Sequence, residues 1–345
     1  MEKQQIFTFI LDATQQAALT EILLCGNYTP VNVPYTTIAV IAPSFGGAHI
    51  NLYTNGKCFI QGGNSHDFVE FVMEPEILKA TPITDFQSTL TEEAKTAHLG
   101  VDESGKGDFF GPLVVAAAFS NGNVAEQLRD AGVRDSKNIS SDDMVRSIAT
   151  RIHSILGTNR YHIMILPPPK YNTLYSKMRS VNRILAWYHA TCIERLVRDP
   201  EGGDRLAVSL AISDQFGDEK LVLNEMRKKN LEGVELRQRH HAEEDLAVAA
   251  ASILARATFV KQMRLLSEKY GIEFPKGAAE PVKKAAAALL QRHGPDAFIE
   301  TAKCHFKTLD STLENAGFTR DEMPPAGRIK STFVSRDWKK KETGE

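Results

Sequence analysis

The chain has 345 residues, 42% hydrophobic and 24% charged, with a formal net charge of -2 at pH 7. This exceeds an ordinary domain of roughly 100–200 residues, so two domains are expected, and the composition excludes a mostly disordered chain. No uninterrupted apolar run reaches the roughly 20 residues of a membrane span, and the N-terminus MEKQQIFTFILDATQQ lacks the basic start and long apolar stretch of a secretory signal, so a cytoplasmic protein with no membrane partner is expected. Along the chain, Gln5–Ile10 is strand-like, and Ala13–Cys25 suits an amphipathic helix ending at Gly26. Thr36–Ala42 and His49–Thr54 are short β-rich runs, and Asn55-Gly56 is a hairpin signal leading into Lys57–Gln61. The polar, Thr-rich stretch that follows suits a linker. From His98 the pattern changes: His98–Asp102, Leu113–Phe119, Tyr161–Leu166 and Leu206–Ile212 read as buried strands, and helical periodicity covers roughly 140–156, 178–198, 243–270 and 281–292. Such an order of strands and helices points to a mixed-sheet α/β domain. The chain ends in a polar tail in which Trp338 and Lys339–Lys341 read as a solvated run.

The charge is unevenly distributed. Residues 1–97 carry 4 Lys and Arg against 10 Asp and Glu, so the rest of the chain is net basic and meets a polyanion on better terms. Cys25, Cys58, Cys192 and Cys304 are far apart and form no CxxC pair, which favours reduced thiols over a zinc site or a disulfide framework.

Chemistry-bearing residues are densest in GVDESGKGDFFGP, residues 100–112. Gly100-x4-Gly105-Lys106 nearly spells a phosphate-cradling P-loop, but Gly107 stands where that motif needs a hydroxyl, and Asp102 and Glu103 would repel a triphosphate. The alternative makes the acids functional. A carboxylate closing an apolar strand is well placed to hold Mg2+, a hard cation that prefers oxygen. Adjacent strand residues face opposite ways, so Asp102 and Glu103 can share a site only if Glu103 already lies in the turn. Asp214 ends a second apolar run, LAVSLAISDQFG, and reads equally well as a ligand or as a turn cap. Glu243, Glu244 and Asp245 precede a long apolar helix, where the macrodipole alone explains acidic residues. His240 and His241 suit polar surface better than a magnesium site, and Trp187 and Tyr188 suit packing.

These segments resemble, in chain order, the motifs of bacterial ribonuclease HIII within the type 2 ribonuclease H family. GVDESGKGDFFGP resembles the first catalytic strand and glycine loop, RDSKNIS the Asp-Ser-Lys element, SDQFG the third-carboxylate strand and AEEDLAVAAASILAR the fourth-carboxylate helix. FPKGA and AKCHFKTL resemble the C-terminal motifs, and INLYTNGKCFIQGG resembles the N-terminal domain that sets HIII apart from HII. The resemblance implies a ribonuclease H-like mixed-sheet catalytic domain with helices on both faces over 98–322, preceded by a small TATA-binding-protein-like α/β domain over 1–82, a linker over 83–97 and a polar tail over 323–345. It implies Asp102, Glu103, Asp214 and Glu243 as the catalytic, metal-binding set, with Glu244 as the neighbouring alternative to Glu243. Ser104, Gly105, Lys106, Gly107, Lys137 and Ser252 are the implied substrate contacts, and Arg256 shares the Ser252 helix.

The implied activity is endonucleolytic cleavage of the RNA strand of an RNA–DNA hybrid by a monomer using two Mg2+ or Mn2+ ions, giving 5′-phosphate and 3′-hydroxyl ends. Two such ions activate water and stabilise a leaving oxygen, and crowded carboxylates repel one another until a cation relieves them. Competing classes are cleavage at single ribonucleotides embedded in DNA, as in HII, a non-catalytic hybrid-binding protein, and a P-loop nucleotidase. If the acidic N-terminal domain binds hybrid, it should use a sheet face, with Lys57 and Phe59 as candidate contacts, rather than a general electrostatic clamp.

Overall fold

A computed structural model describes residues 6–78, 92–134, 136, 139, 141–198, 205–240 and 242–331. Lys137, His241, linker residues 83–91 and tail residues 332–345 lie outside the described residues.

The first sheet contains β1 (Ile6–Ile10), β2 (Thr29–Pro30), β3 (Thr36–Ala42), β4 (Ala48–Tyr53) and β5 (Lys57–Gln61), with α1 (Ala13–Cys25) between β1 and β2. It is antiparallel in the order β1-β5-β4-β3-β2. Asp12 and Gln15 form a reciprocal capping box at the start of α1. One sheet face buries Ile50, Leu52, Cys58 and Ile60 in a common core with Leu19 and Leu23 of α1. On the other face, Thr8, Phe59 and Asn51 form one cross-strand row, and Ile10 pairs with Lys57 in the next. The chain continues through α2 (Ser65–Phe68), wider π-type turns over Val69–Leu78 and, inside the expected linker 83–97, α3 (Glu92–Lys95).

The second sheet contains β6 (His98–Ser104), β7 (Leu113–Ser120), β8 (Tyr161–Leu166), β9 (Leu210–Asp214) and β10 (Glu235–Arg239). Its order is β10-β9-β6-β7-β8; β10, β9 and β6 run parallel, and β7 is antiparallel to both neighbours. Between strands lie α4 (Gly122–Asp130), α5 (Asp142–Leu156), α6 (Pro168–Met178), α7 (Val181–Val197) and α8 (Glu219–Lys228). After β10 come a 3-10 turn (Ala242–Glu244), α9 (Leu246–Tyr270), α10 (Glu280–His293), α11 (Ala297–Thr301) and α12 (Lys307–Asn315). Every residue of β7 is buried, as expected of a strand covered on both faces. Helix α9 covers one face and α7 the other.

Helix α9 falls within the expected helical stretch 243–270, and it is apolar and long enough to cross a membrane by length and composition. Its Ala247, Ala249, Ala250, Ala251 and Ala255 are fully buried, so the apolar character serves the core. Short side chains allow the helix to approach the sheet closely. Strand β9 begins later than the expected 206–212 and reaches Asp214. Strand β10, ELRQR, went unrecognised because an edge strand with charged side chains carries no apolar run. The region after the first sheet meets α5 and the segment before it through Asp67–Arg134 at 3.2 Å and Glu76–Arg151 at 3.8 Å.

Candidate active site

Two features bring the acids together. Parallel pairing of β6 with β9 aligns Val101 with Ser213, so the next residues, Asp102 and Asp214, stand side by side at the strands' carboxyl ends. Carboxyl ends of parallel strands are where open α/β sheets present ligand sites. The second feature is Gly100: a Cβ there would lie 2.1 Å from the backbone of Ala247 and Val248. Only a missing side chain lets the start of α9 sit directly on β6. Gly100 and Asp102 share a face by strand alternation, so Asp102 also faces α9, where Ser252 favours its charged form. Ser252 is bonded to Ser136 at 2.7 Å, and Arg256 donates to the Ser136 carbonyl. The segment holding Ser136 is therefore tied to α9 beside Asp102.

The acidic turn before α9 divides its work. Asp245 is the N-cap, accepting from the amides of Ala247 and Val248 and pairing with buried His98 at 3.0 Å. Burial alone would lower the His98 pKa, but Asp245 raises it overall. This pair locks the start of β6 to the start of α9. Of the two remaining acids, Glu243 is half-buried and Glu244 exposed.

Glu103 departs from expectation. It remains within β6, opposite Val115, rather than in the turn, and alternation directs it to the α7 face. His189 of α7 lies 3.2 Å from its Oε2, and Lys106 lies 3.6 Å from its Oε1. Burial would raise the Glu103 pKa, yet His189 and Lys106 hold it below its usual value. Asp102 behaves in the opposite way: burial, then the charges of Glu103 and Asp214, push it up to about 7. Among the described residues, no three acidic, imidazole or thiol groups form a ready-made metal cluster. The donor chemistry nevertheless fits a hard cation: crowded carboxylates with one held partly protonated are the arrangement that a divalent ion neutralises.

The glycine loop runs beside these acids. Ser104 ends β6. Gly105 has φ +91°, and a Cβ there would lie 2.3 Å from the Pro112 carbonyl, whereas Gly107 is open around its Cα. Lys106 donates to the Phe216 carbonyl at 3.4 Å and lies over the Phe216 ring. The C-terminal motifs brace this loop. The Phe109 amide donates to the Gly277 carbonyl, the Gly111 amide to that of Thr301 and the Lys303 amide to that of Phe109. Lys303 is fully buried, and its Nζ donates to the carbonyls of Gly111 at 2.7 Å and Phe110 at 3.2 Å. Burial pulls its pKa down to about 7. His305 stacks on Tyr175 with ring centroids 4.3 Å apart. The sequence did not single out His189 or Lys303, and it offered Gly100 only as part of a near P-loop. Gly100 could have been noticed as a glycine inside an apolar strand, a mark of close backbone approach, but nothing local distinguishes His189 from a packing histidine.

A family model described as ribonuclease HII matches residues 99–309. The chain is 42% identical over 271 residues to ribonuclease HIII of Protochlamydia amoebophila, covering 79% of this chain and 85% of that protein. It is 40% identical over 296 residues to ribonuclease HIII of Chlamydia trachomatis serovar D, covering 86% and 93%. Among solved structures, Bst-RNase HIII in complex with Mn2+ aligns with a TM-score of 0.58 at 24% identity, over 90% of this chain and 99% of that one. The ribonuclease H2 from Pyrococcus horikoshii aligns with a TM-score of 0.52 at 23% identity, over 64% of this chain and 98% of that one. Both share the fold.

Proposed function

We propose, given that the chain belongs to the ribonuclease HIII family, that it is a divalent-cation-dependent endonuclease that cuts the RNA strand of RNA–DNA hybrids and leaves 5′-phosphate and 3′-hydroxyl ends. The observation that carries this reading is the placement of Asp102 and Asp214 one residue beyond the Val101–Ser213 pair of adjacent parallel strands, with Asp102 held up to about 7 by burial and by its acidic neighbours. Although Asp102 and Glu103 leave opposite faces of β6, they remain close enough for the charge of Glu103 to raise the Asp102 pKa, and with Asp214 and Glu243 they would hold the cations around the strand's end. A pair of Mg2+ or Mn2+ ions bound there supplies an activated water and charge stabilisation at the leaving 3′ oxygen. The protein's own groups do the rest. Ser252 orients the Asp102 carboxylate from α9. The loop from Ser104 to Gly107 offers main-chain groups to the 2′-OH, whose ability to donate and accept distinguishes RNA from DNA. Lys106, half-exposed at the rim, exchanges its contact with Glu103 for a substrate phosphate. Lys137 is assigned to a backbone phosphate from its place in the Asp-Ser-Lys segment. In the first sheet, Lys57 and Phe59 present a shape-reading face to the hybrid; a single ammonium and an aromatic ring suit a net-acidic region better than a broad electrostatic clamp. All of these groups come from one chain, so a monomer suffices.

The test is cleavage of a uniform RNA–DNA hybrid and of a DNA duplex carrying one ribonucleotide, each with Mg2+, Mn2+ or chelator. Cutting at many positions in the hybrid, abolished by chelator, is the expected result. Cleavage of the single-ribonucleotide duplex alone would transfer the chain to HII-like specificity. Hybrid binding without cleavage under any of these conditions would make it a binding protein.

A further inference from the structure

Asp102 and Glu103 are consecutive on β6, so each must be steered from a different side of the sheet. Ser252 performs this for Asp102 from α9. Glu103 has two neighbours of different kinds. Lys106 is flexible and half-exposed, and faces Oε1. His189 is 1% exposed, carried on the buried side of α7, and its ring packs against Phe216 with centroids 4.7 Å apart. Its Nε2 faces Oε2 at 3.2 Å. An ionised carboxylate only accepts, so Nε2 carries the proton of this bond. The other ring nitrogen, Nδ1, is buried without a hydrogen-bond partner among the described residues.

We propose that His189 is a positioning residue: its Nε2–H fixes Oε2 of Glu103, so that Oε1 stays available to a cation once Lys106 moves to substrate phosphate. The step rests on Glu103 serving as a cation ligand. A lysine could not perform both tasks, because the group that leaves for phosphate cannot also hold the carboxylate. The imidazole is locked by packing and has no such alternative partner.

The experiment measures Mn2+ binding to the full-length protein by calorimetry without substrate, together with kcat, KM and thermal unfolding, for His189→Phe, His189→Gln and Glu103→Gln. His189→Phe keeps a planar ring but has no donor. The expected result is a folded protein with KM near that of the parent, Mn2+ affinity weakened about 10- to 100-fold, as for loss of a partner that orients a ligand, and a matching loss in kcat. His189→Gln, whose amide nitrogen reaches the position of Nε2, should recover Mn2+ affinity to within a few-fold of the parent. A folded His189→Phe with parental Mn2+ affinity overturns the proposal. If Glu103→Gln loses affinity in that case, only the role of His189 falls; if it too binds as the parent does, the assignment of Glu103 as a ligand falls as well. Should His189→Phe fail to fold, His189→Gln is compared with His189→Asn, whose amide cannot reach Glu103; equal Mn2+ affinities in that pair overturn the proposal.

Discussion

Gly100→Ala tests the link between packing and site most directly. Gly100 lies in extended backbone, so alanine brings no φ strain and only the space for its methyl group is at issue. That methyl would lie 2.1 Å from the carbonyl carbon of Ala247 and the amide nitrogen of Val248. Ordinary contact needs at least 3.4 Å, so the start of α9 must retreat from β6 by about an ångström. Overpacking costs about 1–3 kcal/mol. Both colliding groups here are backbone and cannot rotate away, so the upper end applies, about 3 kcal/mol. With a urea m-value of about 3 kcal/mol/M, the unfolding midpoint falls by about 1 M. The retreat also moves Ser252 and the acidic turn relative to Asp102, and an ångström of misplacement costs about 100-fold in rate. Gly233→Ala, with no atom near its added methyl and no left-handed φ, is the matched control and should leave stability and cleavage unchanged. Urea denaturation and hybrid cleavage of the two variants decide the matter. Parental stability and turnover in Gly100→Ala would refute the close docking of α9 as the feature that assembles the site.

Three further outcomes are expected. Asp102 has a folded pKa of about 7 against an ordinary 3.8, so the folded state binds the extra proton between these values and stability falls as pH rises from about 4 to about 7; Asp102→Asn should abolish cleavage, retain hybrid binding and, in cation-free buffer at pH 8, unfold about 1–3 kcal/mol later than the parent, a difference that closes below about pH 4. Lys303 is shifted the other way, to about 7 from 10.5, so the unfolded state holds the extra proton and stability contributed through this group rises with pH across that window, by at most about 1.4 kcal/mol per unit; Lys303→Met should flatten this slope in paired denaturation curves and cost about 1–3 kcal/mol near pH 9 by leaving the Phe110 and Gly111 carbonyls without a donor. Lys106→Ala should reduce the slope of log affinity for hybrid against log salt by about 0.9, one phosphate contact, and an unchanged slope in filter-binding or anisotropy titrations removes Lys106 from the backbone contacts.

Much of this protein was legible in its sequence, for a physical reason. Strand and helix periodicities are local, so α1, β3, β5, β8 and the long helices fell close to where their apolar spacing put them, and the Asn55-Gly56 turn needed only its two residues. The candidate carboxylates Asp102 and Asp214 were visible because each ends an apolar run. Which groups meet was decided by tertiary structure. The register of β6 against β9, the absent side chain at Gly100 and the His98–Asp245 pair are contacts between segments more than 100 residues apart, and local periodicity does not encode such pairings. The same holds for Glu103: the sequence left open whether it lies in the strand or in the turn, and only the packing of α7 determined that a buried histidine would meet it there.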